Sequence, residues 1–99
     1  MNYRDPRLLA LAKGAPCCAP DCSRQDGTVV AAHANHQEYG KGMGVKAHDW
    51  AIAFLCADCH REYDDDDKMT YAEKYEFFHR AAVRTFGWLL STGRLKVAA

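Results

Sequence analysis

The chain has 99 residues, a formal net charge of zero, 48% hydrophobic content and five cysteines. Zero net charge excludes nucleic-acid binding by bulk charge, so any such binding must use a local basic patch. The odd cysteine count argues against the disulfide framework of a secreted mini-protein. With no secretory leader and no apolar run of membrane-spanning length, the expectation is a soluble, intracellular protein. Residues 1–99 are expected to form one domain, small enough for a bound metal to supplement its core.

In chain order, Asp5-Pro6 followed by Arg7 to Lys13 predicts a short helix. Asp5 is the N-cap, Pro6 the first helical position and Gly14 the stop, with Leu8 and Leu11 on the core. Pro16 and Pro20 rule out regular structure in the next stretch, whose cysteines offer Cys17-x4-Cys22 or Cys18-x3-Cys22. Either spacing can close on one metal. Cys17 is preferred because the Pro20-Asp21 turn then sits in a roomier loop, with Cys18 kept as the alternative. The spare cysteine is expected to be a small buried apolar group.

Thr28 to Ala32 is β-branched and apolar and predicts a short buried strand that delivers His33, Asn35 and His36 at its end. A strand end suits a catalytic side chain, because the sheet fixes the backbone and the following loop leaves room for substrate. Gly40, Gly42 and Gly44 then alternate with Lys41 and precede Lys46. Glycines allow close backbone approach and lysines supply charge, so Lys41 and Lys46 are candidate contacts to a nucleic-acid backbone. The order is not that of a Walker loop.

His48-Asp49-Trp50 leads into Ala51 to Leu55, a second apolar strand that runs directly into Cys56-Ala57-Asp58-Cys59-His60. Two thiols two residues apart can share one zinc at about 2.3 Å, and zinc requires four ligands. Cys17 and Cys22 supply the other two. His60 is then left outside the zinc site, free to hold a second metal or do chemistry. A helix opening at His60 would place His60 and Asp64 on one face, four residues apart. The acidic run Asp64 to Asp67 reads as a solvated helix end or loop. The last segment is a long helix over about 70–92, with a Thr70 to Glu73 capping box and Gly93 as the stop. Tyr75, Phe78, Ala82, Phe86 and Leu89 are its expected core stripe, and His79, Arg80 and Arg84 its solvent- or DNA-facing side.

A paired-cysteine knuckle followed at once by a histidine, and preceded by a strand ending in Ala32-His33, resembles the HNH endonuclease superfamily. Within it, the cysteine spacing, Val30 to His33, the Gly-Lys-Gly loop, Asp49 and Cys56 to His60 are similar to small phage and prophage HNH-like nuclease proteins. The resemblance implies an α+β fold: a small zinc-stapled ββα-metal (HNH, or His-Me finger) domain over about 15–65, flanked by the short first helix and the long last one. It implies a metal-dependent DNA endonuclease or nickase. His33 stands at the position of the general base that activates water. The middle residue of the pattern is open: Asp49 lies nearest in order, with Asn35 and His48 as neighbours. His60 stands at the position of the ligand to a catalytic cation, Mg²⁺ or another divalent ion. The residue before the base, often a ligand in the family, is here Ala32, so the cation would be held by His60 with Asp64, His36 or Asp49. DNA is the implied partner and a bacterial host cytoplasm the implied location, with monomer and homodimer both open. Two other readings remain open: a non-catalytic zinc module for DNA or protein, and a redox dithiol at Cys56 and Cys59. Imidazole titrates near neutral pH, and a metal concentrates positive charge beside a phosphate, so the implied roles are chemically sound.

Overall fold

A computed structural model describes residues 2–65 and 67–98. Its first helix, α1, spans Pro6–Ala10. The Asp5 side chain accepts from the amides of Arg7 and Leu8. The helix stops earlier than the Gly14 signal implies, and turns carry the chain on to Gly14 at φ +77°. Leu8 and Leu11 pack against the core as expected.

Two antiparallel strands follow, β1 (Val30–His33) and β2 (Ile52–Leu55), with Val30 opposite Leu55 and His33 opposite Ile52. β1 starts later than the β-branched run because Asp26 captures Thr28. The Asp26 carboxylate accepts from both the amide and the hydroxyl of Thr28, at 3.0 and 2.6 Å. Such local side-chain bonds compete with strand pairing. All four residues of β2 are fully buried.

Helix α2 (Ala57–Asp64) opens three residues before His60, with Cys56 as its N-cap. The two cysteines therefore form the helix's own first turn, closed by the bond from the His60 amide to the Cys56 carbonyl. Asp64 ends the helix and Asp65 caps it. Asp66, inside the acidic run, lies outside the described residues.

Helix α3 (Tyr71–Ser91) begins with the full Thr70–Glu73 capping box and packs on β2. Its buried stripe is Lys74, Phe78, Ala81, Thr85 and Leu89, so the expected stripe is rotated by one residue at three positions. Tyr75 is exposed, and Ala82 and Phe86 are only partly buried. Thr85 sets this rotation. Its hydroxyl accepts the Phe54 amide at 2.9 Å and donates to the Ala81 carbonyl at 2.8 Å, which satisfies a β2 amide that β1 does not reach. Arg84 lies on the exposed side of the helix, as expected, but its head group is engaged. Its guanidinium donates to the carbonyls of Ala19 and Cys22.

Residues 2–5 lie along residues 46–49. The Asn2 side chain donates to the carbonyls of Gly40 and Lys46, both at 2.7 Å, and the Asp49 amide donates to the Tyr3 carbonyl. No helix among the described residues is long and apolar enough to cross a membrane.

Candidate metal centre and adjoining cleft

The Cys17–Cys22 loop is shaped by its backbone. The Cys17 amide bonds the Arg24 carbonyl at 2.7 Å and the Cys18 amide bonds the Phe54 carbonyl at 2.8 Å, tying the loop to β2. Asp21 takes a left-handed φ of +61°, and the Cys22 amide turns back to the Ala19 carbonyl. Arg84 holds the same turn from α3. The result brings the Sγ atoms of Cys17, Cys22, Cys56 and Cys59 within 4.8 Å of one another. Cys18 stands apart, buried, its sulfur 3.6 Å from the Pro16 carbonyl.

Four thiolates at about 2.3 Å around a tetrahedral ion would sit about 3.8 Å apart, close to this spacing, so the cluster could hold a metal ion such as zinc. Burial pushes the thiols of Cys17 and Cys59 up, whereas the Arg24 amide beside the Cys22 sulfur holds that thiol below its ordinary value. Crowded, buried sulfurs of this kind ionise together only when a cation neutralises them.

One turn further along α2 the surroundings change. His60 Nε2 lies 3.3 Å from Asp64 Oδ2, and the Asn35 side-chain amide donates to Asp64 Oδ1 at 3.2 Å. These residues line a cleft of about 420 Å³ together with His33, Lys41 and Lys46. His33 reaches it from the end of β1, with Nε2 2.8 Å from Asp49 Oδ1. Asp49 is buried behind the imidazole and is also held by Arg4 at 3.1 Å and by the Asp5 amide at 2.6 Å. Burial works to raise the Asp49 carboxyl, but the hydrogen bonds from His33, the Asp5 amide and Arg4 outweigh it and hold it below the ordinary carboxylate range.

Two histidines named from the sequence stand elsewhere. His36, expected as a cation ligand, is 1% exposed and walled by Tyr39, Tyr63, Tyr71, Tyr75 and Phe78, so an ion in the cleft cannot reach it. Its Nε2 is 3.3 Å from the Tyr63 hydroxyl, and burial lowers its pKa. That hydroxyl in turn accepts the Asn35 amide at 2.9 Å, fixing the backbone that aims Asn35 at Asp64. His48 stacks on Trp50 and accepts the Tyr3 amide on Nδ1. Arg4 and Tyr63 were not legible as site residues. Arg4 meets Asp49 across most of half the chain, and Tyr63 reads as an ordinary core aromatic.

The family model described as "Putative nuclease YbcO" matches residues 7–94. Neither a curated protein nor a solved structure matches the chain at a significant level. The match spans both the cysteine cluster and the histidine cleft, and the chain belongs to this nuclease family.

Proposed function

We propose that the protein is a metal-dependent DNA endonuclease or nickase of the HNH, ββα-metal type, acting in phage or prophage DNA processing. One observation carries the reading: the same cleft is lined by the Asp49-held His33 and by the paired donors His60 and Asp64. Membership of a nuclease family supports phosphodiester hydrolysis as the reaction.

Asp49, ionised at neutral pH, only accepts hydrogen bonds, so His33 donates Nε2–H to it and keeps a lone pair on Nδ1. Nδ1 has no protein partner among the described residues. It is the base that takes the proton of an attacking water, and the Asp49 carboxylate stabilises the imidazolium formed. Asp49 thus positions and supports His33 without touching substrate. His60 and Asp64 offer one nitrogen and one carboxylate to a divalent cation, a donor set that suits Mn²⁺ or Ni²⁺ and admits Mg²⁺. When bound, such an ion supplies charge to neutralise the phosphate and the departing oxygen. Asn35 orients the Asp64 carboxylate, and Lys41 and Lys46 attract the DNA backbone. Zinc at Cys17, Cys22, Cys56 and Cys59 is the structural ion, since four sulfur ligands fill a tetrahedral ion and leave no open position for substrate. The convergence of all four thiols favours a metal over a redox dithiol at Cys56 and Cys59.

Nicking of supercoiled plasmid in Mg²⁺, Mn²⁺ and Ni²⁺ tests the reading. His33→Ala is expected to lower the rate by about 10²- to 10⁴-fold with the fold and zinc content retained. Equal rates for the two proteins in every metal would leave a non-catalytic zinc module that binds DNA or protein.

A further inference from the structure

Met43 is fully solvent-exposed, more so than any other large hydrophobic side chain among the described residues. Gly42 and Val45 exchange both backbone hydrogen bonds, at 3.1 and 3.0 Å, so Met43 and Gly44 form a two-residue hairpin loop. Gly44, at φ +69°, supplies the left-handed residue that a type II turn requires at its third position. The stem is fastened at both ends. The Asn2 side chain bridges the Gly40 and Lys46 carbonyls, and Arg4 adds a bond to Lys46 at 2.9 Å. Gly40 is seated so closely that a Cβ there would lie 2.7 Å from the His48 ring. Met43 is therefore presented by an anchored stem. Directly outside the bridged pair, Lys41 and Lys46 both line the cleft that holds His33 and His60.

We propose that Met43 is a wedge that enters a base step of duplex DNA while Lys41 and Lys46 hold the neighbouring phosphates, so that the strand presented to His33 is locally unstacked. This rests on the DNA reading of the cleft. Apolar side chains inserted between base pairs, methionine among them, unstack and kink a duplex, and cations beside the wedge hold the distorted backbone. The lysine on each arm of the hairpin gives the tip the charge complement of a nucleic acid. Gly44 beside Met43 adds no side chain to hinder entry. The substrate class implied is DNA that is bent, bulged or readily opened, whose unstacking is already partly complete.

The test uses a short duplex carrying 2-aminopurine, whose fluorescence rises on unstacking, with no divalent cation added so that nothing is cut. Wild type is expected to raise the signal. Met43→Ala is expected to abolish the rise and weaken binding by about tenfold, the scale of one lost buried apolar side chain. The same variant should bind a bulged duplex as wild type does, and its melting temperature and zinc content should be unchanged. If wild type binds and nicks DNA but leaves the fluorescence flat, or if Met43→Ala matches wild type on both duplexes, the wedge is overturned and the nuclease reading stands. If wild type neither binds nor nicks DNA, both fall.

Discussion

The cysteine cluster and the histidine cleft occupy successive turns of α2, yet they are built on opposite plans. The cluster is sulfur throughout, with Cys17 and Cys56 buried and its loop fastened by β2 and α3. The cleft is nitrogen and oxygen, and the His60 and Asp64 side chains stay 37% and 55% exposed. A closed thiolate site suits an ion kept for the life of the fold, whereas an open two-donor site suits one that also contacts substrate and exchanges. The difference teaches that one short helix can present two donor sets on successive turns that differ in softness and access.

The strongest way to break this contrast is Cys56→Ser. Removing one of four ligands should cost several kcal/mol of folding free energy, seen as lost zinc and a collapsed melting transition. Cys18→Ser should keep both, and a folded, zinc-replete Cys56→Ser protein would mean that the cluster is not a metal site. The cleft should respond differently. Asp64→Ala is expected to raise the cation concentration needed for half-maximal nicking by at least about 10- to 100-fold, the scale seen when only a partner supporting a metal ligand is lost, while the fold persists. An unchanged metal titration would remove Asp64 from the site.

Two smaller effects are read from pH. His36 has a lowered pKa, so the folded protein binds its proton less well than the unfolded chain does. The stability from its neutral burial is complete above about pH 6.5 and declines as pH falls below that. His36→Phe should flatten this part of a melting-temperature profile. Asp49 is also lowered, and the same sign applies further down the scale. Its contribution is complete above about pH 4 and is lost as pH falls through its folded value, a slope that Asp49→Asn should diminish. A profile unaltered by either substitution would show that these groups titrate alike in both states.

The α1 N-cap, the two strands to within two residues, and the α3 capping box were legible in the sequence because each depends on neighbours along the chain. The pairing of Cys17 and Cys22 with Cys56 and Cys59 was legible through ligand spacing, with Cys18 left open until the Pro16 carbonyl claimed its sulfur. The α3 stripe was misread because an apolar pattern cannot anticipate Thr85, a polar residue buried to satisfy a strand amide. The sealing of His36 and the fastening of Asp49 by Arg4 were also hidden. Both come from contacts distant in sequence, which carry no periodic signal.

Cys59 and His60 are adjacent in a rigid helix, with no residue between them to absorb a shift. Inserting one residue there would turn everything beyond it by about 100° and advance it by about 1.5 Å, carrying His60 and Asp64 off the cleft face while the cluster stayed whole. The helix thus works as a ruler with both marks engraved on it, and the spacing between the two centres can drift in evolution only by rebuilding one of them.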